Sequence, residues 1–246
     1  MDHFEKATVF LLATNEQILL KQALDVILET CEDNDIAQIV IALKSEDCAS
    51  STYLKKRILP DKKYAKVSCY VQKKPGIVQC MSELPPLVVG SHFLMMSADN
   101  EMSPHAVCAL IAAAKEHPDT IVCAAKWKRD SQLREKTNLH LIGSYLLNQM
   151  TARILHVQAN DPCSIFRIYP IDVFRKLPSG RNKDFLFEYT VKPLAIGMQY
   201  TEIPTEYKNR AESESNFNYL NYFVFAAQYL RHAAQYRLLA KFGRIQ

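Results

Sequence analysis

A doubly wound α/β fold, with a mostly parallel sheet and helices on both faces, is what the sequence predicts. Three observations carry the prediction. Strand-length runs such as Thr8–Leu12 and Gln38–Leu43 are apolar nearly throughout, not at every second residue, which is the pattern of strands covered on both faces. Longer stretches of helical character separate these runs, as parallel crossovers require. Ser103-Pro104 adds a helix start, a serine N-cap with proline at the first helical position, ahead of an Ala-rich run to Glu116.

The elements follow in order. The first strand, TVFLL (Thr8–Leu12), leads through Asn15-Glu16 into a helical stretch ending near Thr30. QIVIAL (Gln38–Leu43) is a second strand, and KVSCYVQ (Lys66–Gln72), which alternates strictly, is a third. FLMMS (Phe93–Ser97) and TIVCAA (Thr120–Ala125) are the fourth and fifth. A helical stretch from Asn138 to Leu155, a loop at Asn160-Asp161-Pro162 and a short helix over Phe187 to Ile196 come next. A strand at Met198 to Ile203 and a long terminal helix complete the chain.

The composition is that of a folded protein: of 246 residues, 48% are hydrophobic, 23% charged and 10% aromatic. Disorder, collagen and coiled coil are excluded. The seven scattered cysteines form no CxxC and no Cys/His cluster, and the N-terminus has no leader pattern. Reduced thiols in a cytoplasmic protein are therefore expected. No apolar run reaches the roughly 18 residues of a membrane span. The net charge of +4 resides in the tail, because Arg231, Arg237, Lys241 and Arg244 lie beyond Glu214, the last acid. A nucleic-acid partner is not expected, since no basic face spans the domain. With only six glycines, neither GxGxxG nor GxxxxGK[ST] occurs, which removes the anchors of dinucleotide and P-loop sites.

In a doubly wound sheet, ligands bind at the carboxyl ends of the strands. Ala13, Thr14, Asn15 and Glu16 follow the first strand, Lys44 the second, and Asp99-Asn100-Glu101 the fourth. Two carboxylates on one short loop suit a hard divalent cation completed by phosphate oxygens and water. The same spacing also describes a solvated turn whose acids complement a helix N-terminus.

The order of these features resembles family-2, GT-A-fold glycosyltransferases over residues 8–215. TVFLLATNEQ (Thr8–Gln17) is similar to their first strand and turn, and SHFLMMSADNEMSP (Ser91–Pro104) to the segment carrying their DxD metal motif. Asp99 falls on the second aspartate of that motif and Glu101 two residues later. DPCSIFRIYP (Asp161–Pro170) matches their acceptor-loop segment through Asp161, Ser164, Phe166 and Arg167. Leu186–Ser215 matches through Phe187, Glu188, Gly197, Pro204, Tyr207, Arg210, Glu214 and Ser215. GSYLLNQM (Gly143–Met150) places Ser144 and Asn148 as in the dolichyl- or polyprenyl-phosphate sugar synthases, the subgroup most resembled.

The resemblance implies a GT-A-like domain over residues 1–215, followed by a basic aromatic helix over 216–246. It implies sugar transfer from a UDP- or GDP-sugar donor with Mg²⁺ or Mn²⁺, the metal on Asp99 with Glu101 beside it. Ala13, Asn15 and Glu16 would line the nucleoside pocket, and Lys44, Arg210 and Ser215 would contact the diphosphate. Ser144 and Arg167 would face the acceptor, with Asp161 between them and the donor. A polyprenyl phosphate is the implied acceptor type. The sequence also departs from the pattern: Ser97 stands at the first DxD aspartate, Ala42-Leu43-Lys44-Ser45 where paired aspartates follow the second strand, and Ile165 where a glycine precedes Phe-Arg. Either an active transferase or an inactive, binding or regulatory relative agrees with this set. The matching segment at Arg210 and Glu214-Ser215 argues against a nucleotidyltransferase.

The tail offers two expectations. Tyr222, Tyr229 and Tyr236 recur every seven residues, with Tyr219, Phe223, Ala226, Leu230 and Ala233 on the same helical face. This face either packs on the domain or on a second subunit, or lies at the anionic inner surface of a membrane.

Overall fold

A computed structural model describes residues 3–74, 76–133, 139–172, 187–208 and 219–242. Its centre is a seven-stranded sheet of order β3-β2-β1-β4-β7-β5-β8. The strands are β1 (Ala7–Ala13), β2 (Ile36–Leu43), β3 (Val67–Val71), β4 (His92–Ser97), β5 (Ile121–Ala125), β7 (Arg167–Pro170) and β8 (Tyr200–Pro204). All neighbours run parallel except β7, which is antiparallel to both β4 and β5. A second, two-stranded sheet joins β6 (Gln132–Leu133) to β9 (Glu206–Tyr207).

The continuous apolar runs become strands because residues of opposite parity enter two different cores. Val9, Leu11, Ile39, Ile41, Leu94 and Met96 meet α1 (Ile18–Thr30) and α4 (Ala106–Glu116) on one face. Phe10, Val40, Ala42, Phe93 and Met95 meet α3 (Ile77–Glu83) on the other. Both faces are thus dry, as a parallel sheet requires. The alternation of β3 belongs to the sheet edge, where Ser68 is exposed while Val67 is buried.

Four features differ from expectation. Ser103 and Pro104 do not lie in the helix but in its lead-in turn: their carbonyls accept the N–H groups of Ala106 and Val107, and α4 begins at Ala106. The segment FRIYP forms β7, because its backbone inserts between β4 and β5 and Arg167 finds buried acceptors. α2 (Ala49–Tyr53), continued by a π-helical turn at Leu54–Ile58, and α3 both occupy segments for which no element was expected. Finally, Cys31 and Cys108 are not reduced thiols but form a disulfide that joins the end of α1 to α4. They are 77 residues apart, so only the folded chain brings them together.

Helix α5 (Leu139–Leu155) and a π-helical turn at Phe187–Val191 that runs into α6 (Lys192–Ala195) lie outside the main cores. With the terminal helix α7 (Tyr219–Lys241) they form a third apolar cluster through Leu147, Leu155, Val191, Leu194, Tyr229 and Ala233. Tyr229 and Ala233 of the tyrosine face of α7 therefore pack on the domain with Tyr236 partly buried beside them, although Phe223, expected on that face, is 70% exposed. Among the described residues no helix is long and apolar enough to cross a membrane.

Candidate active site at the β1–β4 switch point

The chain adds β2 and β3 on one side of β1 and then crosses to place β4 on the other. The resulting crevice opens at the carboxyl ends of β1 and β4. The sequence-selected residues of strands one, two and four lie at this edge. Ala13 ends β1 and is buried, while Asn15 is exposed. Glu16 closes its own turn: Oε2 accepts from the N–H groups of Thr14 at 2.6 Å and Asn15 at 2.9 Å. Lys44 is exposed after β2, and its carbonyl accepts from Gln72 Nε2 at 2.9 Å. Ala42 and Leu43, at the paired-aspartate positions of the resemblance, are buried in opposite cores.

The carboxylate loop is held at three points. Ala98 N–H donates to Leu12 O at 3.0 Å and keeps the loop beside β1. Asp99 Oδ1 accepts from Glu101 N–H at 3.2 Å, closing a turn in which Asn100 takes φ of 56°. Asparagine tolerates this left-handed backbone, and its Nδ2 donates to Leu19 O in α1 at 2.9 Å. Beyond the turn, Lys208 N–H donates to Glu101 O at 2.7 Å, Ser103 N–H to Glu206 O at 3.0 Å, and Met102 bridges to Tyr207. Residues 206–208 are therefore stitched to the carboxylate loop, and Arg210 and Ser215 follow outside the described residues.

Across the crevice lie the ends of β5 and the Asn160–Ser164 loop. Asp161 is 2% exposed, and its Oδ2 accepts from Lys126 N–H at 3.0 Å. Burial, helped by the Glu202 charge and opposed by Lys126 and Arg167, pushes its pKa up to about 6. Ser164 Oγ donates to Ala124 O at 3.2 Å and touches Met102 Sδ at 3.8 Å, joining this loop to the carboxylate loop. Ser144 is half-buried on α5, and Asn148 links it to the same loop: Asn148 Nδ2 donates to Ser144 O and Asn148 Oδ1 accepts from Cys163 N–H, both at 2.9 Å.

Arg167 requires a correction. It was expected to face an acceptor, but it is 0% exposed, its Nη1 donating to Thr190 O at 2.8 Å and Nη2 to Pro162 O at 2.7 Å. Its guanidinium also lies over the Tyr200 ring at 5.0 Å. The acceptors of β7's surroundings are internal carbonyls, so the charge is held inside the sheet. A half-buried cation that was not expected, Lys126, stands at the end of β5. Its ammonium lies 5.5 Å from the Trp127 ring centroid and 4.8 Å from that of Tyr207, and no carboxylate pairs with it among the described residues. The rule that selected Asp99 and Lys44, inspection of strand ends, would have found it at the end of β5.

Among the described residues no three His, Cys, Asp or Glu side chains converge as a metal cage. Asp99 and Glu101 on one loop nevertheless fit a divalent cation of the kind that takes one or two carboxylates and completes its shell with substrate phosphates and water.

A seven-stranded, mostly parallel sheet with a carboxylate loop at its switch point defines a GT-A-like glycosyltransferase fold. Solved structures similar to this chain include glucosyl-3-phosphoglycerate synthase from Mycobacterium tuberculosis. The complex with Mn²⁺, UDP and phosphoglyceric acid has a TM-score of 0.70 and 10% identity, covering 95% of this chain and 78% of that one. The complex with Mn²⁺, UDP-glucose and phosphoglyceric acid has a TM-score of 0.68 and 10% identity, covering 93% and 80%. A third structure of that enzyme has a TM-score of 0.66 and 13% identity, covering 97% and 81%. No family model and no curated protein sequence matches the chain.

Proposed function

We propose that this protein transfers a sugar from a nucleotide-diphosphate sugar, UDP- or GDP-linked, to a phosphate-bearing acceptor, with Mg²⁺ or Mn²⁺. The observation that carries the reading is that Tyr207, bridged to Met102 at the end of the Asp99–Glu101 loop, also carries the Lys126 ammonium 4.8 Å from its ring, beside buried Asp161. Ala13, Asn15 and Glu16 would line the nucleoside end and Lys44 would contact the diphosphate, the role the resemblance also gives to Arg210 and Ser215. Asp99 holds the cation, with Glu101 beside it. When bound, the cation neutralises the charge that grows on the leaving diphosphate as the sugar–oxygen bond breaks. A phosphate acceptor is already anionic, so the new bond to the sugar needs positioning but no proton removal. Lys126 supplies that positioning in place of the internal Arg167, with Ser144 and Asp161 on the same side.

The resemblance to polyprenyl-phosphate sugar synthases extends the proposal to a lipid-phosphate acceptor and to a peripheral place on the cytoplasmic membrane surface. Support comes from α7, whose outward residues Val224 and Leu238 are exposed beside Arg231 and Lys241, with no acid in the helix. Homo-oligomer formation through α7 is the competing use of this surface.

A second reading, an inactive relative that binds a nucleotide or a partner, is favoured by the burial of Ala42 and Leu43 and by Ser97 where acids stand in the resembled family. A panel of UDP- and GDP-sugars scored for Mn²⁺-dependent binding and slow hydrolysis tests both. Metal-dependent binding with turnover supports the transferase. Binding without turnover supports the inactive relative, and no binding with or without metal sinks the donor site.

A further inference from the structure

We infer that Glu202 is a positioning residue for the crevice: its carboxylate ties together the backbone N–H groups of Asn160 and Asp161 and so fixes where Asp161 stands beside Lys126. The inference deepens the transferase reading and rests on it for its meaning, though not for its geometry. Glu202 lies on β8, the edge strand, with its side chain buried. Oε1 accepts from Asn160 N–H at 2.9 Å, Asp161 N–H at 2.8 Å and Tyr200 O–H at 2.9 Å. Oε2 accepts from Asn160 Nδ2 at 2.8 Å and lies 3.0 Å from Asn160 N–H. The ammonium that reaches Glu202, that of Lys128, bonds its backbone carbonyl instead.

Four donors thus converge on one buried carboxylate, and each needs an acceptor. Glutamine offers one acceptor oxygen and a second group that donates, so it leaves N–H facing N–H. Only the ionised acid satisfies the set. The loop is gripped from its other side by Arg167, whose guanidinium takes Pro162 O. Asp161 sits between the two grips, and its carboxyl is joined to the backbone of Lys126 at 3.0 Å. The charged or titratable groups around Asp161 are Lys126 and Cys123 from β5 and its end, Arg167 from β7, Glu202 and Tyr200 from β8, and Cys163 from its own loop. Of the carboxylates, Glu202 is the one that raises the proton affinity of Asp161.

The test uses the full-length protein and needs no substrate. Amide hydrogen exchange at Asn160 and Asp161 and the ¹³C titration of the Asp161 carboxyl are followed by NMR in wild type, Glu202→Gln and Tyr200→Phe. In Glu202→Gln, exchange at both amides should accelerate by about tenfold or more, as expected for lost hydrogen bonds to a charged group, with β1 and β4 amides unchanged. The Asp161 midpoint should fall, because a like charge has been removed. Tyr200→Phe removes one donor and leaves the Glu202 charge, so it should speed exchange at the two amides by a smaller factor with the Asp161 midpoint little changed, which decides the matter if the glutamine variant does not fold. Unchanged loop exchange and an unchanged Asp161 midpoint in a folded variant would overturn the inference. With a UDP-sugar as donor, Glu202→Gln should lower kcat with little change in donor KM. A wild type without turnover would defeat the transferase reading while the loop measurements still decide the role of Glu202.

Discussion

Two residues at the crevice carry opposite physical demands. Asp99 belongs to a loop at the solvent edge, where an anionic oxygen is required if a divalent cation is to bind. Asp99→Asn should weaken Mn²⁺-dependent binding of a UDP-sugar by about tenfold or more while leaving metal-free nucleotide binding in place, as titration calorimetry with and without Mn²⁺ will read. Asp161 is buried, and burial lifts its pKa from the ordinary 3.8 to about 6 in the folded protein. The ionised form is therefore disfavoured by folding: the penalty is absent below about pH 4, grows up to pH 6 and is complete above it. Asp161→Asn cannot ionise, so its melting temperature relative to wild type should be higher at pH 8 than at pH 4, by an amount equivalent to at most roughly 3 kcal/mol. A variant more stable at pH 8 yet inactive would mark Asp161 as a residue kept for function at the expense of stability.

Among the elements, α7 shows how one helix can answer two readings. Its tyrosine face, legible as a seven-residue recurrence, is the packing face: Tyr229 is fully buried and its hydroxyl pairs with Thr190 Oγ1 at 2.7 Å. Tyr229→Phe should cost about 1 kcal/mol through the hydroxyl that is lost. Tyr229→Ala should cost about 3–5 kcal/mol, because it opens a cavity against Leu147 and Val191. Urea unfolding of both variants checks the ratio, and equal small losses would place Tyr229 outside the core. The sequence could give the face of the helix but not its neighbours, since α5 and α6 come from distant segments. Strand β7 is the reverse case. Its single charge, Arg167, and terminal Pro170 hide a strand that becomes visible only when β4 and β5 flank it.

At the scale of the whole molecule, two properties can be measured on the intact chain. His92 opens β4 in full burial, with Nδ1 2.8 Å from Ser91 Oγ and Nε2 2.9 Å from Pro118 O. Burial lowers its pKa from 6.5 to about 4. The unfolded chain thus takes up this proton first, and the contribution of His92 to stability should fall as pH drops from 6.5 towards 4, by roughly 3 kcal/mol at most and opposite in sign to that of Asp161. Chemical unfolding of wild type and a His92→Gln variant at pH 7, 5.5 and 4.5 isolates it, because the difference in stability between the two should move against wild type as pH falls. The second property concerns the outward side of α7. Full-length protein should sediment with anionic vesicles at low salt and dissociate as salt rises, with each basic residue near the surface contributing roughly 1 kcal/mol. Vesicle binding unaffected by salt, or absent while the protein self-associates, would assign this face to a subunit contact.

The sequence by itself determined the α/β class, the five leading strands and the strand-end loop that carries Asp99 and Glu101. These follow from local rules, since periodicity and punctuation act over a few residues and a parallel sheet always presents its strand ends at one edge. Tertiary structure alone decided that Arg167 is internal while Lys126 lies against Trp127 and Tyr207, that Cys31 meets Cys108, and that Glu202 grips the Asp161 loop. Each of those facts depends on which distant groups surround a side chain. A charge is stabilised inside or left at the surface according to the donors and acceptors it meets there, and a linear pattern does not contain that information.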